Sequence, residues 1–132
     1  MADLIIVAAI CIRDASGRLL TVRKRGTDRF MLPGGKLEPG ETPAEAVVRE
    51  TAEEVGISID PAALVPLGHW HAPAANEPDT RLESTVFAAE VDHPEPRAAR
   101  EIAEIRWLDP GRADEHDDLA PMITLHVLPA IA

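Results

Sequence analysis

The segment from Gly35 to Ile57 constrains this chain most, because both ends of a helix are marked within it. Thr42 lies where an N-cap hydroxyl belongs, Pro43 suits the first helical position, and Glu45 completes a Thr-x-x-Glu capping box. Gly56 marks the C-terminal end, since glycine takes the left-handed conformation without a Cβ clash. The sequence therefore predicts one helix between these two signals.

Three acidic side chains crowd one face of that predicted helix. Glu50, Glu53 and Glu54 fall at positions i, i+3 and i+4, so their carboxylates lie close together. Each like-charge pair at this spacing costs a few tenths of a kcal/mol. A helix that accepts this cost twice either lies in plain solvent or binds a cation.

The overall charge limits the partners of such a chain. A net charge of -10 would repel a nucleic-acid polymer or an anionic membrane surface, so we expect neither as a partner. A small phosphorylated ligand stays compatible with this charge, because bound divalent metals can invert the local field.

The remaining pattern predicts a mixed α/β fold in a single domain over residues 1–132. Leu4–Ile12 and Leu19–Arg25 are expected to form a hairpin, and Ile102–Leu108 alternates like a half-buried strand. The other expected elements are the strands Ile57–Ile59, Leu64–Trp70 and Thr85–Val91, the loops His71–Thr80 and His93–Arg100, and a terminal helix Asp117–Ala132 capped by Asp118 or its neighbour.

Within the opening segment, nine constrained positions resemble the Nudix box, G-x5-E-x7-R-E-U-x-E-E-x-G-U with U apolar. The matching residues are Gly35, Glu41, Arg49, Glu50, Glu53, Glu54, Gly56 and Ile57, and the one departure is Thr51 at the first apolar position. The segment Leu32–Ile57 is especially similar to the MutT branch of that superfamily. The resemblance implies an α/β/α sandwich with a mixed central sheet and the box helix on one face.

The resemblance also implies a metal-dependent hydrolase that cleaves a pyrophosphate bond. Cations neutralise the charge that develops when water attacks a phosphorus atom, and Mg²⁺ prefers hard oxygen ligands. Glu50, Glu53 and Glu54 can supply such ligands for Mg²⁺, or for Mn²⁺ in its place. The family pattern adds the carbonyl of Gly35 as a further ligand and assigns to Arg49 the orientation of a box carboxylate.

The group that removes a proton from the attacking water stays open among three glutamates. Glu50 is the first candidate within the box. Glu101 is the second, because it lies six residues before Trp107, a spacing that resembles a distal glutamate of MutT-like enzymes. Glu104, at the start of the same predicted strand, is the alternative.

Substrate contacts are expected from basic residues near the glycine turn and from the first box glutamate. The basic cluster at the end of the second strand suits phosphate or ribose because arginine binds such groups in bidentate fashion. Trp70 and Phe30 are candidates for stacking on a base, although aromatic side chains mostly lie in cores. The candidate substrate-binding residues are Arg23, Arg25, Lys36 and Glu41.

The identity of the group beyond the diphosphate stays open. The expected substrate is a small nucleoside diphosphate linked to another group, such as a nucleoside triphosphate, an oxidised one or a nucleotide sugar. The chain has no tyrosine, which argues against the dinucleoside-polyphosphate subclass. Pro73, sixteen residues past Ile57, resembles a marker of ADP-ribose pyrophosphatases. The asparagine with which MutT enzymes bind an oxidised purine has no counterpart in Asp117–Pro121.

Two alternatives of different kinds remain, namely an ADP-ribose or nucleotide-sugar pyrophosphatase and a non-catalytic nucleotide sensor. Homodimers are common in the superfamily, and no feature of the sequence decides between a monomer and a homodimer. The chain lacks a recognisable signal peptide and any apolar run near the ~20 residues of a membrane span, which predicts a cytoplasmic protein.

The histidines and the single cysteine are expected to be structural. Cys11 lies in an apolar run and is predicted to be a buried thiol. Among the five histidines, only His69 and His71 are close enough in sequence to suggest shared ligation, and two ligands alone make a weak zinc prediction.

Overall fold

A computed structural model of the chain describes residues 3–92 and 94–132, so His93 of the predicted loop lies outside the described residues. Its strands form one six-stranded mixed sheet. They are β1 (Asp3–Arg13), β2 (Leu19–Lys24), β3 (Gly34–Lys36), β4 (Val65–Pro73), β5 (Thr80–Glu90) and β6 (Ile102–Leu108).

The central strand β1 connects all parts of the sheet. The order is β4-β5-β1-β2-β6, with β1 and β5 parallel and the other pairs antiparallel. One edge of β1 is shared by two partners, because Arg13 pairs with Leu19 of β2 while Ala8 pairs with Gly35 of β3. The short glycine strand is therefore held directly on the central strand.

The predicted helix forms as α1 (Pro43–Val55), and both of its ends are confirmed. The Thr42 hydroxyl accepts from the Glu45 amide at 3.1 Å, and the Glu45 carboxylate accepts from the Thr42 amide at 2.9 Å. Gly56 ends the helix with a left-handed φ of 71°. Capping of this kind contributes roughly 1 kcal/mol.

Two apolar cores lie on opposite faces of the sheet. One packs α1 against residues of β1, β2 and β5, including Ile10, Val22 and Phe87. The other packs the C-terminal segments against the opposite face, with Val86, Leu108 and Ile123 among its buried members. Cys11 belongs to the second core and is buried, as predicted. The expected α/β/α sandwich, with a mixed sheet and the box helix on one face, is confirmed.

The predicted strand Ile57–Ile59 is wrong. Both isoleucines are buried against the core beneath α1, but this stretch has no strand pairing. Their apolar spacing therefore reflects packing of an extended segment that leads into a short 3₁₀ turn, Pro61–Ala63.

The predicted loop His71–Thr80 is too long at both ends. Strand β4 continues to Pro73 and β5 begins at Thr80. The prolines of this segment indicate a loop when read from the sequence. However, β4 is an edge strand, where a proline without an N–H need not remove a hydrogen bond between strands.

The terminal helix starts later than predicted. Helical structure begins at Pro121 and passes through a π-helical segment, Ile123–Val127, into the short helix α2 (Leu128–Ile131). Asp118 is not its cap, because both carboxylate oxygens accept from Arg106, at 2.6 and 2.9 Å. A further 3₁₀ segment occupies Pro110–Glu115. In the described part of the chain, no helix is long and apolar enough to cross a membrane.

Candidate active site

Two glycines of strand β3, Gly34 and Gly35, are packed closely between β1 and α1. A Cβ at Gly34, which has a φ of 152°, would lie 2.1 Å from the Ala8 carbonyl oxygen, so only glycine fits there. The Gly34 amide donates a 3.0 Å hydrogen bond to Glu54 Oε1. The central strand β1 thereby fixes the glycine turn, and the Gly34 amide fixes the carboxylate of Glu54.

Glu54 is a buried acid with only 2% of its surface exposed. Burial raises its pKa to about 7, while the hydrogen bond from the Gly34 amide acts in the opposite direction. The negative charge of nearby Glu50 raises this pKa further. A nearby cation would stabilise the ionised form of this carboxylate, because it would offset the desolvation of the charge.

Glu50 lies against the peptide of the second glycine. A Cβ on Gly35 would be 2.7 Å from Glu50 Cδ, so the absence of a side chain makes room for this carboxylate. Burial raises the pKa of Glu50, and the hydrogen bond from Arg49 partly opposes the shift. The structure therefore brings the predicted ligands Gly35, Glu50 and Glu54 to one place at the glycine turn.

Arg49 connects the box carboxylates. It donates to Glu41 in bidentate fashion, from Nε at 2.7 Å and from Nη2 at 2.9 Å. Its Nη1 donates to Glu50 at 2.8 Å and to Glu53 at 3.4 Å, and its Nη2 reaches the Lys36 carbonyl at 3.2 Å. The Arg49 hydrogen bonds hold the pKa of Glu41 at about 2, and these pairs raise the pKa of Arg49. Glu41 therefore lies in the arginine network.

The donor set fits a hard divalent cation. The carboxylates of Glu50 and Glu54 lie at the glycine turn, and Arg49 Nη1 links Glu50 to Glu53. Oxygen donors of this kind suit Mg²⁺ and Mn²⁺ rather than softer ions. The raised pKa values of Glu50 and Glu54 are the response expected of carboxylates gathered for a cation.

The two distal glutamates differ in their surroundings. Glu101, whose side chain is 53% exposed, precedes β6 and lies 3.8 Å from Lys24 Nζ, and its charge raises the pKa values of Glu50 and Glu54. Glu104 instead pairs with Arg23 across the β2–β6 ladder, with separations of 2.9 and 3.0 Å. Of the two, Glu101 is the one close enough to act on the cluster.

The predicted basic residues separate in the structure. Arg23 is held by Glu104 and by the Thr27 carbonyl at 2.8 Å. Arg25 extends toward the Arg100 carbonyl at 3.5 Å. Lys36 lines a cavity beside the glycine turn, and so does Lys24.

That cavity, of about 110 Å³, adjoins the candidate metal site because Gly34 and Gly35 form part of its wall. Most of the lining is apolar. The apolar lining side chains are Ile5, Val7, Ala8, Ala9, Met31, Leu32, Pro73, Ala75, Leu82, Ala120, Met122 and Ile123. Ser84 lies on the wall with 1% of its surface exposed, and its hydroxyl has no hydrogen-bond partner among the described residues.

Sequence reasoning missed Ser84 and gave Lys24 no separate role. Alternation along β2 does not set Lys24 apart from its neighbours, because the strand register shifts between Arg23 and Lys24. Ser84 gave no signal either, because its burial depends on the pairing of β5 with β1 and β4.

The two aromatic candidates lie away from the cavity wall. Phe30 is buried in the second core, with the Arg106 guanidinium 3.8 Å above its ring. Trp70 stacks on His126 at a centroid distance of 5.4 Å. Asn76 Oδ1 accepts from the Arg29 amide at 3.2 Å.

Comparison with known proteins agrees with this fold and identifies the family. The family model described as NUDIX domain matches residues 3–126, so the chain belongs to the NUDIX family. A MutT-like protein of Streptomyces ambofaciens is 30% identical over 95% of this chain and 75% of its own length. A Bacillus subtilis protein named for a provisional 8-oxo-dGTP diphosphatase activity is 29% identical over 80% of this chain and 66% of its own length. The Escherichia coli phosphatase NudJ is 38% identical over 51% of this chain and 45% of its own length.

Solved structures show the same fold. A MutT protein from Methanosarcina mazei Go1 matches with a TM-score of 0.74 and 24% identity, covering 98% of this chain and 91% of its own. An Ap4A hydrolase from C. elegans matches with a TM-score of 0.73 and 22% identity, covering 96% and 93%. The family match and the hydrolase relatives confirm the predicted resemblance and the expectation of a Nudix pyrophosphohydrolase enzyme.

Proposed function

We propose that this protein hydrolyses the pyrophosphate bond of a nucleoside diphosphate linked to another group, with Mg²⁺ or Mn²⁺ bound at the box helix. The observation that supports this proposal is the carboxylate cluster at the glycine turn, where Glu50 and Glu54 contact the two glycines and Arg49 connects Glu50 with Glu53. The cluster adjoins the cavity through Gly34 and Gly35, which form part of the cavity wall.

The box residues have separate roles in this proposal. Glu50, Glu53 and Glu54, with the Gly35 carbonyl, would hold the cation, which neutralises charge on the diphosphate and lowers the pKa of water. Arg49 holds three carboxylates in place, and Glu41 fixes the orientation of Arg49. Lys24 and Lys36 line the adjoining cavity, where their positive charges can attract phosphate oxygens.

The adjoining cavity would accept the base of the substrate. Its apolar wall suits the faces of a base, and the unpaired Ser84 hydroxyl can hydrogen-bond to a polar edge. A nucleoside triphosphate is the leading substrate of this proposal, and its support is the 8-oxo-dGTP diphosphatase name of the Bacillus relative. Pro73 on the same wall is the one observation that favours ADP-ribose as a second candidate.

A substrate panel tests the reaction and the substrate together. Canonical and oxidised nucleoside triphosphates, ADP-ribose and nucleotide sugars would each be incubated with Mg²⁺ or Mn²⁺, and the products identified by chromatography. We expect metal-dependent release of a nucleoside monophosphate, reduced roughly a hundredfold or more in Glu53→Gln. Glu90→Gln, an exposed change on β5, is the matched control. Tight nucleotide binding without turnover would instead indicate a sensor.

The general base that removes the proton from water is tested separately, through the pH dependence of the hydrolysis rate. Glu50 is our first candidate and Glu101 the second. If Glu50 is the base, Glu50→Gln removes the acidic limb of the profile and Glu101→Gln keeps it. The reverse result assigns the base to Glu101, and Glu104→Gln, which breaks only the pair with Arg23, serves as the comparison.

A cysteine-dependent reaction on the same fold is not favoured. Burial raises the pKa of Cys11 to about 12, so its thiol stays protonated and unreactive near neutral pH. We further propose that residues 1–132 act as one domain.

A further inference from the structure

A second group of metal-ligating side chains lies outside the box. His69 and His71 on β4 and Glu83 on β5 place three ligand atoms within 4.8 Å of one another. No box residue belongs to either strand. The two histidines alone gave a weak prediction, and the structure adds the third ligand across the sheet.

The strand pairing explains why these three residues meet. His71 lies directly opposite Glu83 in the antiparallel ladder, and His69 lies two residues earlier on the same face. His69 Nε2 is 3.2 Å from Glu83 Oε2, and His71 Nε2 is 3.6 Å from Glu83 Oε1. The intervening Trp70 points to the other face, where it stacks on His126.

These separations suit a small metal ion. With ligand bonds of about 2.0–2.2 Å, two ligands of a tetrahedral ion lie about 3.3–3.6 Å apart. The observed 3.6 Å lies at the upper end of this range and the 3.2 Å just below its lower end, each to a different oxygen of Glu83. Both histidine side chains are 53% exposed, so an ion has access and further positions stay open to water.

A hydrogen bond orients one of the ligands. His69 Nδ1 lies 3.0 Å from Thr85 Oγ1, its neighbour across the ladder. When Nδ1 carries the proton and donates it to Thr85, Nε2 is left with a lone pair that faces Glu83. Outer contacts of this kind fix the ring orientation of metal-binding histidines.

We propose that His69, His71 and Glu83 form a second cation site, selective for a divalent transition metal such as Zn²⁺ over Mg²⁺. Two imidazoles and one carboxylate suit Zn²⁺, whereas Mg²⁺ prefers oxygen donors throughout. The net charge of -10 raises the local concentration of any cation. This site is separate from the carboxylate cluster of the proposed function.

Calorimetric titration with Zn²⁺ in excess Mg²⁺ tests the proposal, since Mg²⁺ saturates the all-oxygen cluster. We expect one Zn²⁺ site in the wild type, weakened roughly tenfold or more in His71→Asn and in Glu83→Gln. His116→Asn and Glu90→Gln are the matched controls for a lost imidazole and a lost carboxylate, and they should bind as the wild type does. Thr85→Val should weaken binding less than loss of a ligand.

Spectroscopy supplies a readout that does not depend on hydrolysis. Co²⁺ added under the same conditions should give visible absorption of an imidazole-ligated ion in the wild type and in Glu53→Gln, and none in His69→Asn/His71→Asn. Absence of Zn²⁺ binding in the wild type, or equal affinity in that double variant, overturns the proposal and leaves the contacts as histidine–glutamate ion pairs. Neither result bears on the box, because Glu53→Gln tests that site independently.

Discussion

The backbone amide of Gly34 donates a 3.0 Å hydrogen bond to Glu54 Oε1 in the buried layer between the sheet and α1. Within residues 3–92 and 94–132, this amide is the hydrogen-bond donor to a carboxyl group that has only 2% of its surface exposed. Burial outweighs it and raises the pKa of Glu54 to about 7. The cost of that buried charge is the basis of the first prediction.

Metal-free protein should lose stability through Glu54 as the pH rises. The pKa is raised from 4.5 to about 7, so the folded state binds this proton more tightly than the unfolded chain does. The stabilising contribution of the Glu54 proton is therefore fully present below pH 4.5 and is lost as the pH passes about 7. We expect Glu54→Gln, which keeps an acceptor for Gly34, to be more stable than the wild type by about 3 kcal/mol at alkaline pH, and equal to it in acid.

Urea unfolding in a chelating buffer, at one acidic and one alkaline pH, measures this difference. Comparing the two proteins cancels the opposite contributions of carboxyls such as Glu41, whose pKa is lowered. A stability difference that does not change with pH would contradict the prediction. Added Mg²⁺ should stabilise only the wild type under the proposed function.

Gly35→Ala should displace a metal-binding carboxylate without unfolding the protein. The new Cβ would lie 2.7 Å from Glu50 Cδ, the end of a flexible side chain that can move away. We expect hydrolysis to fall roughly tenfold or more, because small misplacements at a reacting centre are costly. Gly111→Ala, where the Cβ meets its nearest atom at 3.4 Å, is the control. Steady-state kinetics that match the wild type would show that the carboxylate position does not matter.

Arg49→Lys should keep the positive charge and still impair the enzyme. A lysine cannot reproduce the bidentate contact with Glu41 while also donating to Glu50 and Glu53. We expect kcat to fall roughly tenfold or more and the apparent affinity for Mg²⁺ to weaken, as for other outer contacts of metal ligands. Arg112→Lys, an exposed arginine paired with Glu115 on the surface, should have no effect.

Ser84→Ala should make the protein more stable and at the same time weaken substrate binding. Its buried hydroxyl lacks a partner among residues 3–92 and 94–132, so removing it should raise the free energy of unfolding by about 1 kcal/mol. If the hydroxyl binds the nucleoside, KM for the preferred substrate should rise with kcat unchanged. Ser58→Ala, on the surface, is the control. A stabilised variant with unaltered KM would remove Ser84 from the binding site.

The helix could be predicted from sequence because its signals are local. Thr42, Glu45 and Gly56 each act on backbone groups within a few residues, so no knowledge of the sheet is needed. The carboxylate cluster followed from helical spacing alone. By contrast, the extent of β4 depends on its position at the sheet edge, and Pro73 gave the opposite signal.

The parts that escaped prediction depend on strand register. Glu83 meets His71 only because β4 and β5 pair in one particular alignment, and a shift of one residue would turn their side chains to opposite faces. Asp118 is not the helix cap that the sequence predicts, because it pairs with Arg106 on β6, twelve residues away. Short-range patterns carry no information about such distant partners.

Because β3 is hydrogen-bonded to β1, the cavity wall and the glycine turn belong to one rigid element. Ile5 and Val7 of β1 line the cavity, and Ala8 of the same strand pairs with Gly35. Under the proposed function, the distance from base to cleaved bond is set by this strand and cannot adjust to the substrate. The enzyme would then distinguish substrates by the number of bonds between the nucleobase and the cleaved phosphate. A nucleotide one phosphate longer or shorter would be cut at a different bond or left intact.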